Sequence, residues 1–500
     1  MTATPARIVF VFRDLGRIRS FQGPLELMAR RGHEVHVALE KDRERIPGQL
    51  DFIRDLASRF ENVTYARTPK RESDPLAALS RDLRLGLDAL HFLRPEFDAA
   101  NPFRERSLRD APAAIRRLAL TPGLRSRSGR AALQGLVARL ERALPPSERY
   151  VEYLRGKDPD VVAVTPFVWF GAAQTDWIRA ARALGVPSVA CIFSWDNLTS
   201  KGSIREYPDR MTVWNAAQRD EATRLHGVPA ARIVATGAQT WDRWFTWRPS
   251  RDRAMFCREV GIPEDQPYVL YVESSGYTQG EGPHVRRWVE DVRRLARGPL
   301  RTASIVVRPH PQTSADEWRA AGVTGLDGVR VWPEAGTMPL ERQSLNDFFD
   351  SIHHAHAVVG INTTAFIDSA IVGRPCLAYA PPEYASSQDE TVHFHHLRPE
   401  NGGHLIISNA IEAHVSQLEQ ALTLKGDGGL RARPFVERFV RPAGIDVEAA
   451  PRVVAALEDA AQMPRRRPHG ASGTDRVLAA AASLLVRRPV LPARRLAPSS

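Results

Sequence analysis

The sequence has few cysteines and no long apolar run. Cys191, Cys257 and Cys376 are odd in number and far apart in a chain of 500 residues. This spacing argues against a disulfide framework or a cysteine metal cluster and indicates a reducing compartment. No stretch approaches the roughly 20 apolar residues that span a bilayer. The short apolar run at 8–12 has no small-residue cleavage pattern after it, so we interpret it as a first strand and not as a signal peptide.

Three nucleotide-binding or catalytic fingerprints are also missing. The chain has no G-x-G-x-x-G, no P-loop and no G-x-S-x-G elbow. Their absence argues against a dehydrogenase, a P-loop NTPase and an α/β-hydrolase.

Acidic residues are scarce in two segments. Residues 104–142 hold ten arginines and three acids, and residues 464–500 hold eight arginines and one acid, while the whole chain has a net charge of +11. The rest of the chain is therefore slightly acidic. The two segments are interpreted either as solvated surface and a flexible tail, or as contacts with an anionic membrane or a polyanionic acceptor. No recognition motif for nucleic acid accompanies the charge.

Strand-like and helical patterns alternate in two arrays, which predicts an α/β protein with two Rossmann-like domains facing a cleft. We place the first domain at 1–245, with an Arg-rich helical insertion at about 70–150. An irregular linker follows at 246–267, and the second domain covers 268–463, where a helix at 446–460 is expected to close the array. Residues 464–500 form the basic tail.

Ligands of such sheets bind where the carboxyl ends of strands meet helix N-termini. In the second array these loops carry Ser274 and Ser275, then Arg308 and His310 in RPHP, and then NTTAFID at 362–368. Two prolines hold His310 in a fixed backbone, which suits recognition or protonation of a pyrophosphate, although a stiffened surface turn fits equally well.

The NTTAFID stretch combines a helix start with small hydroxyl side chains. Asn362, Thr363 and Thr364 are placed to bind a phosphate at the positive end of the helix dipole, and Asp368 to accept bonds from a ribose. The alternative is an ordinary helix cap followed by an exposed carboxylate.

Three further groups are candidates. The loop QDETVHFHH contains Gln388, Thr391 and His393, and we favour a polar substrate-facing loop over a metal site because the spacing is not a zinc signature. In the first array, Asp14 or Asp196 could act as general base toward an acceptor hydroxyl. Both aspartates also suit turns or helix caps.

The order of the two arrays, with RPHP and NTTAFIDSAIVGRP in the second, resembles the GT-B glycosyltransferase fold over about residues 1–460. The motif pair is similar to the nucleotide-diphosphate site of bacterial CDP-glycerol glycerophosphotransferases and of UDP-N-acetylglucosamine 2-epimerases. The resemblance implies that His310 contacts or protonates the pyrophosphate, that Thr363 and Thr364 bind phosphate, and that Asp368 binds ribose.

Two departures from these families stand out. The chain has Asn-Thr-Thr where the transferases carry an aromatic Asp-Tyr-Ser-Ser type of turn, and the further catalytic acids of the epimerases find no match. The SWDN, VWN and HFHHL elements resemble those of bacterial proteins assigned only as glycosyltransferases.

The resemblance implies a cytoplasmic glycosyltransferase of polysaccharide biosynthesis that moves a sugar or polyol phosphate from a nucleotide-diphosphate donor. Its acceptor would be a cell-surface glycan or a lipid-linked molecule, and the inner face of an anionic membrane is an expected contact. No metal or other cofactor and no nucleic acid is expected. The alternatives are a sugar-nucleotide 2-epimerase on the same fold, and a non-catalytic protein that binds a nucleotide sugar or glycan.

Overall fold

The computed structural model describes residues 4–44, 48–71, 74, 76–274, 280–337, 342–423 and 428–466. Ser275 and most of the predicted basic tail, 467–500, lie outside the described residues. The described start of that tail contacts the first domain, because Arg465 pairs with Asp158 and Arg466 with Asp209.

The first domain is built on seven parallel strands in the order β3-β2-β1-β4-β5-β6-β7. Near-continuous runs of Val, Ile, Phe and Ala form them, as expected for strands covered on both faces. The strands are β1 (Arg7–Phe12), β2 (Glu34–Leu39), β3 (Val63–Arg67), β4 (Val161–Thr165), β5 (Ser188–Cys191), β6 (Arg210–Val213) and β7 (Ile233–Ala235). In register, Phe10 lies opposite Val37 on one side and Ala163 on the other.

In the residues of this domain that the structure describes, ten α-helices precede the second domain. They are α1 (Gln22–Arg30), α2 (Asp51–Arg59), α3 (Ala77–Phe92), α4 (Asn101–Asp110), α5 (Ala113–Leu120), α6 (Arg127–Ala143), α7 (Glu148–Lys157), α8 (Thr175–Ala183), α9 (Asn197–Ser200) and α10 (Ala216–Arg224). Helices α3 to α7 lie between β3 and β4, where the Arg-rich insertion was predicted.

A buried ionic network fastens the insertion to the domain. Arg84 of α3 donates to both carboxylate oxygens of Asp176 on α8, at 2.6 and 2.8 Å, and to Glu141 of α6 at 2.6 Å. Arg179 of α8 also pairs with Glu141 at 2.5 Å. Burial opposes ionisation of Asp176, but the surrounding arginines outweigh it and lower its pKa.

The second domain contains six parallel strands in the order β10-β9-β8-β11-β12-β13. They are β8 (Tyr268–Val272), β9 (Ser304–Arg308), β10 (Val329–Val331), β11 (Ala357–Gly360), β12 (Cys376–Tyr379) and β13 (Ile406–Ser408). The α-helices that begin at or after residue 253 are α11 (Arg253–Val260), α12 (Glu281–Leu295), α13 (Ala315–Ala320), α14 (Arg342–His353), α15 (Ala365–Val372), α16 (Ile411–Thr423), α17 (Gly428–Phe435) and α18 (Ala450–Ala461). The predicted fold class, two Rossmann-like domains, is confirmed.

Two elements differ from the predictions. The predicted linker contains α11, whose Phe256, Cys257 and Val260 pack in the core of the second domain. The helix predicted to close the second array, α18, instead packs on the first sheet. Its apolar face, with Val453 and Leu457, packs against α1 and strands β4, β5 and β6, so the chain returns to its first domain.

Each sheet has a switch point where successive strands run to opposite sides. It lies between β1 and β4 in the first sheet and between β8 and β11 in the second. Loops at these points diverge and leave a crevice outside the carboxyl ends of the strands. A shared core containing Trp195, Trp214 and Trp241 of the first domain and Phe366 and Phe439 of the second holds the two sheets together.

Candidate functional site

A cleft of about 480 Å³ lies between the two domains, and the loops at the carboxyl ends of both sheets line it. The first domain contributes residues after β1, β4 and β5, and the second contributes residues after β8, β9, β11 and β12. The predicted site residues among its lining are Asp196, Arg308, His310, Asn362, Thr363, Thr364, Asp368, Thr391 and His393.

The turn from β11 to α15 forms one wall of the cleft. The main-chain N–H of Asn362 donates to Ser274 Oγ at 3.0 Å, so the end of β8 fixes the start of this turn. Thr363 Oγ1 accepts from the N–H of Ala365 at 3.3 Å, whereas Thr364 makes no side-chain cap. Within the described chain, the N–H groups of Thr363 and Thr364 have no hydrogen-bond acceptor. The turn therefore presents donors at the positive end of a helix.

Asp368 is buried in the cleft wall and does not stand exposed on its helix. Its Oδ1 accepts from the indole N–H of Trp241 at 2.7 Å. Burial raises its pKa to about 7, although Trp241, Arg19 and Arg243 act in the opposite direction. The second carboxylate oxygen is the one that could meet a hydroxyl of a bound molecule.

The RPHP turn after β9 brings a buried guanidinium to the cleft. Arg308 is 4% exposed and donates from Nη1 to Ser351 Oγ at 3.1 Å. Its Nη2 has no hydrogen-bond partner in the part of the chain that the structure describes. Burial lowers the pKa of Arg308 to about 10, so it is still charged near neutral pH. A buried cationic donor facing a cavity fits an anionic ligand.

His310 is held by its backbone. Its N–H donates to Glu273 Oε2 at 2.7 Å, and its Nδ1 accepts from the N–H of Gln312 at 3.3 Å. Burial, with a smaller effect of Arg19, lowers the pKa of the imidazole, so the neutral form predominates near neutral pH. Nε2 is then the ring nitrogen left for a ligand.

Glu273 is a cleft residue that the sequence analysis missed. Besides the His310 N–H it accepts from Thr313 Oγ1 at 3.0 Å. Burial raises its pKa to about 7, within the range of a general acid or base at neutral pH. The residue stands directly before Ser274 at the end of β8, and its position at a strand end is the signal that could have revealed it.

The loop after β12 divides into structural and cleft-facing residues. Gln388 donates from its amide to the carbonyls of Ile361 and Tyr379, which differs from the predicted donor contact, because a buried amide must satisfy its own hydrogen bonds. Thr391 lines the cleft but donates to the carbonyl of Gln388 at 2.9 Å.

His393 lies edge-on to the ring of Trp195, with centroids 4.8 Å apart. Its pKa is lowered to about 4, mainly by burial, with Asp196 opposing the effect. It is therefore a neutral histidine in the cleft lining, and its buried Nδ1 has no partner in the described ranges.

The two candidate bases of the first domain have different surroundings. Asp196 accepts from Ser194 at 2.5 Å, from Ser200 at 2.9 Å and from Lys201 at 2.9 Å. Burial would raise its pKa, but Lys201, His393 and Ser194 hold it well below the usual value. So firmly stabilised a carboxylate is a weak base. Asp14 precedes a 3-10 turn, 3.5 Å from Arg17, and is not part of the cleft lining.

Basic side chains of the first domain, which the sequence analysis missed, form the opposite wall together with aromatic ones. Arg17, Arg19, Lys201 and Arg243 all line the cleft. The guanidinium of Arg17 lies 4.2 Å from the ring centroid of Phe193. With Arg308 across the cleft, the cations outnumber the lining carboxylates.

The domain architecture and cleft define the class: the chain has the GT-B fold. No family model and no curated protein matches its sequence. Among solved structures it resembles a glycosyltransferase from Rickettsia africae ESF-5 with a TM-score of 0.52 and 9% identity, covering 92% of this chain and 100% of that one. It also resembles a protein described as a UDP-N-acetylglucosamine 2-epimerase from Listeria monocytogenes, with a TM-score of 0.51 and 14% identity, over 93% and 99% of the two chains. At such identities the likeness shows the fold alone.

Two searches over the described residues bear on partners. No helix there is long and apolar enough to cross a membrane. No group of three or more His, Cys, Asp or Glu side chains in the same ranges could hold a metal ion. The expectation of metal-independent chemistry stays a prediction.

Proposed function

We propose that this chain is a glycosyltransferase that uses a nucleotide-diphosphate-linked donor. The observation that carries the proposal is a group of hydrogen-bond donors without partners in the described part of the second domain. There, Arg308, Thr363 and Thr364 line one cleft with Asp368, and neither the Nη2 of Arg308 nor the N–H groups of the two threonines have a partner in the described chain. A diphosphate suits a helix start and a guanidinium, and a carboxyl next to it suits a ribose hydroxyl.

In this proposal the diphosphate is bound from both domains. Arg308, Thr363 and Thr364 contact it from the second domain, while Arg19 and Arg243 of the first domain add positive charge across the cleft. These donors stabilise the charge that develops on the leaving nucleotide, which is a nucleoside diphosphate if a sugar is transferred and a nucleoside monophosphate if a polyol phosphate is transferred, so a bound metal is not required by the chemistry. His310 would donate a hydrogen bond from its neutral ring to the same group.

The transferred group would be a sugar or a polyol phosphate, and the acceptor would lie against the first domain. Trp169, Phe193 and Trp195 line that side and contribute aromatic surface to it. The acceptor is proposed to be a cell-surface glycan or a lipid-linked molecule. Of the two predicted bases, Asp14 and Asp196, Asp196 is the one that lines the cleft. Because its pairing with Lys201 makes it a weak base, a bound acceptor must displace Lys201 before proton transfer.

One observation favours a second candidate, a sugar-nucleotide 2-epimerase. Glu273, with its pKa raised to about 7, is bonded to the His310 backbone, and a carboxyl of this kind could exchange a proton at a sugar carbon. Such an enzyme needs no acceptor. The two candidates share the donor site and differ in the fate of the sugar.

The first test is a thermal-shift panel with UDP-, GDP-, CDP- and TDP-linked sugars and CDP-glycerol. A ligand that binds only the native state raises the melting temperature, by the equivalent of about 2.7 kcal/mol at 100 times its Kd. We expect one nucleotide class to raise it, and Arg308→Met to abolish the rise. Arg330→Met is the matched control, because Arg330 lies on the neighbouring strand and donates to the Gly261 carbonyl.

The outcomes are distinct. If no nucleotide shifts the melting temperature, or if Arg308→Met responds like the native chain, the donor site is wrong. With the bound nucleotide identified, acceptor-dependent release of nucleoside diphosphate supports transfer of a sugar, and acceptor-dependent release of nucleoside monophosphate supports transfer of a polyol phosphate. Deuterium uptake from D2O into the sugar without acceptor supports the epimerase. Binding with neither product supports a non-catalytic binding protein.

A further inference from the structure

The helical insertion reaches the cleft directly through α4. Pro102 and Phe103, at the start of this helix, line the cleft together with the loops of the first sheet. Phe103 is 3% exposed, and its ring centroid lies 6.4 Å from that of His393 in the second domain. The insertion, which belongs to neither sheet, therefore forms part of the wall where the two domains meet.

A buried carboxylate of the insertion also holds two cleft loops. Asp88 of α3 is fully buried and is not part of the cleft lining. Its Oδ2 accepts from the N–H of Gly171 at 2.8 Å, in the loop after β4. Its Oδ1 accepts from the N–H of Ser203 at 2.8 Å and from the hydroxyl of the same serine at 3.1 Å, in the loop after β5. Each oxygen thus serves one loop, and a single side chain fastens both.

The two loops carry cleft residues close to these hydrogen bonds. Trp169 and Lys201 both line the cleft, and each lies two residues before a main-chain N–H that Asp88 binds. The loops approach each other at Gly202, where a Cβ would lie 2.9 Å from Asp88 Oδ1 and 2.9 Å from the Trp169 carbonyl oxygen. Asp88 therefore fixes the backbone from which the Trp169 and Lys201 side chains enter the cleft lining.

The placement of Lys201 bears on the predicted base. Its Nζ lies 2.9 Å from Asp196 Oδ2 and 5.7 Å from the centre of the Trp169 ring. Burial would raise the pKa of Asp196, and Lys201 is the largest of the effects that lower it. The lysine ammonium stands on a flexible four-carbon stem, so its position depends on where the backbone is held. Asp88 thus acts on Asp196 without touching it.

We propose that the helical insertion builds the acceptor half of the cleft, and that Asp88 is the positioning residue that holds Trp169 and Lys201 there. The proposal rests on the proposed function, in which the first domain receives the acceptor. The hydrogen bonds that Asp88 makes in the described chain go to the first domain, whereas the donor is bound by Arg308 and its neighbours in the second. Transfer should therefore depend on Asp88, and donor binding should not.

The first test needs neither nucleotide nor acceptor. It measures acetylation of lysines by N-hydroxysuccinimidyl acetate, followed by peptide mass spectrometry. Lys201 is 8% exposed and is one of five lysines in the chain, of which Lys41, Lys70 and Lys157 are exposed and serve as internal references. Asp88→Asn replaces one acceptor oxygen by a donor, so one loop is released. Acetylation of Lys201 should rise about tenfold relative to the references, the factor that corresponds to losing one hydrogen bond.

Asp209 offers a matched control. Its Oδ2 accepts from the N–H of Ser188 at 2.9 Å and from the hydroxyl of this serine at 3.0 Å, as Asp88 does with Ser203. It lies where β5 and β6 begin, at the end of the sheet opposite the cleft. Asp209→Asn should leave acetylation of Lys201 unchanged. If Asp88→Asn fails to fold, Ser203→Ala should raise the acetylation by a smaller factor, and Ser188→Ala should not.

The second test uses the nucleotide-linked donor found in the thermal-shift panel. Asp88→Asn should keep the ligand-induced rise in melting temperature and an unchanged KM for the donor. Its kcat for acceptor-dependent release of nucleotide should fall at least tenfold, because Lys201 and Trp169 are no longer held in place. A merely structural role of Asp88 would lower the melting temperature of the unliganded chain and leave both the relative acetylation of Lys201 and kcat as they are.

The outcomes separate this proposal from the proposed function. Equal acetylation of Lys201 in Asp88→Asn and Asp209→Asn would overturn the positioning role. Raised acetylation with an unchanged kcat would overturn the assignment of this half of the cleft to the acceptor, and a lost ligand-induced shift would assign Asp88 to the donor half. If the native chain binds no nucleotide, the proposed function fails, whereas the acetylation result still decides whether Asp88 positions Lys201.

Discussion

Replacing Asp368 by Asn should stabilise the protein while impairing its ligand site. The carboxyl is 6% exposed, and its pKa is raised from 3.8 to about 7. Asparagine is nearly isosteric and its Oδ1 can still accept the Trp241 indole N–H. The substitution removes the ionisation but keeps the interdomain hydrogen bond.

The magnitude follows from the difference in proton affinity between the folded and unfolded states. One pKa unit corresponds to about 1.4 kcal/mol, so ionised Asp368 costs the folded state about 4 kcal/mol. At about pH 3 the carboxyl is protonated in both states and Asn confers no advantage. As the pH rises from about 4 to 7 the unfolded chain loses the proton first, the native protein is destabilised, and the advantage of Asn grows. Above about pH 7 it is constant.

The assay compares melting temperatures of the native chain and Asp368→Asn from about pH 5 to pH 8, with and without the nucleotide found in the panel. We expect a gap in favour of Asn that widens with pH, together with a smaller ligand-induced shift. A gap that stays constant or narrows as the pH rises would refute the raised pKa. An unchanged ligand-induced shift would refute the role of Asp368 in binding.

Two further substitutions test the turn beside the cleft and the anchoring of the insertion. Gly336→Ala should lower the free energy of unfolding by about 1–3 kcal/mol and reduce ligand binding, because the added Cβ would lie 1.8 Å from the His310 carbonyl oxygen. The control is Gly325→Ala, whose Cβ would meet nothing within 4 Å and which should be tolerated. Equal melting temperatures of the two variants would contradict this prediction. Arg84→Ala removes one of the arginine partners of two buried carboxylates, leaving Asp176 with Arg71 and Glu141 with Arg179. It should lower the free energy of unfolding by about 3 kcal/mol, against about 0.5 kcal/mol for the exposed Arg286→Ala. Urea unfolding measures both, and similar losses would argue against the network.

The fold was predictable because the sequence patterns that indicate its strands and helices are local. A strand covered on both faces appears as a short apolar run, and each helix between strands shows its own period, so both arrays can be traced without knowing their contacts. The strands β3 and β13 were missed: β3 is largely exposed, with the sequence VTYAR, and β13 has only three residues. The sequence also could not show which sheet α18 packs on, because the spacing of its apolar side chains suits either sheet equally well.

The site was predictable in its loops but not in its pairings. The turn at Asn362 to Thr364 and the RPHP motif stand at strand ends, where the rule for parallel sheets places a site. The partner of Asp368 is 127 residues away, at Trp241, and no local pattern connects them. Likewise the strength of Asp196 as a base depends on its three-dimensional surroundings, in which Lys201 and two serines stabilise its charge.

The return of α18 to the first domain governs how the molecule can be divided. The chain crosses between domains twice, and Asp242 at the first crossing joins the second, accepting from the N–H groups of Ala449 at 2.9 Å and Ala450 at 2.6 Å. A protease cut at 246–252 would therefore leave the halves attached through the second crossing. A fragment ending before residue 450 would lack the helix that covers α1 and strands β4 to β6, and would expose apolar surface there. An expressible first domain needs α18 rejoined to it, for example by a linker placed after residue 245.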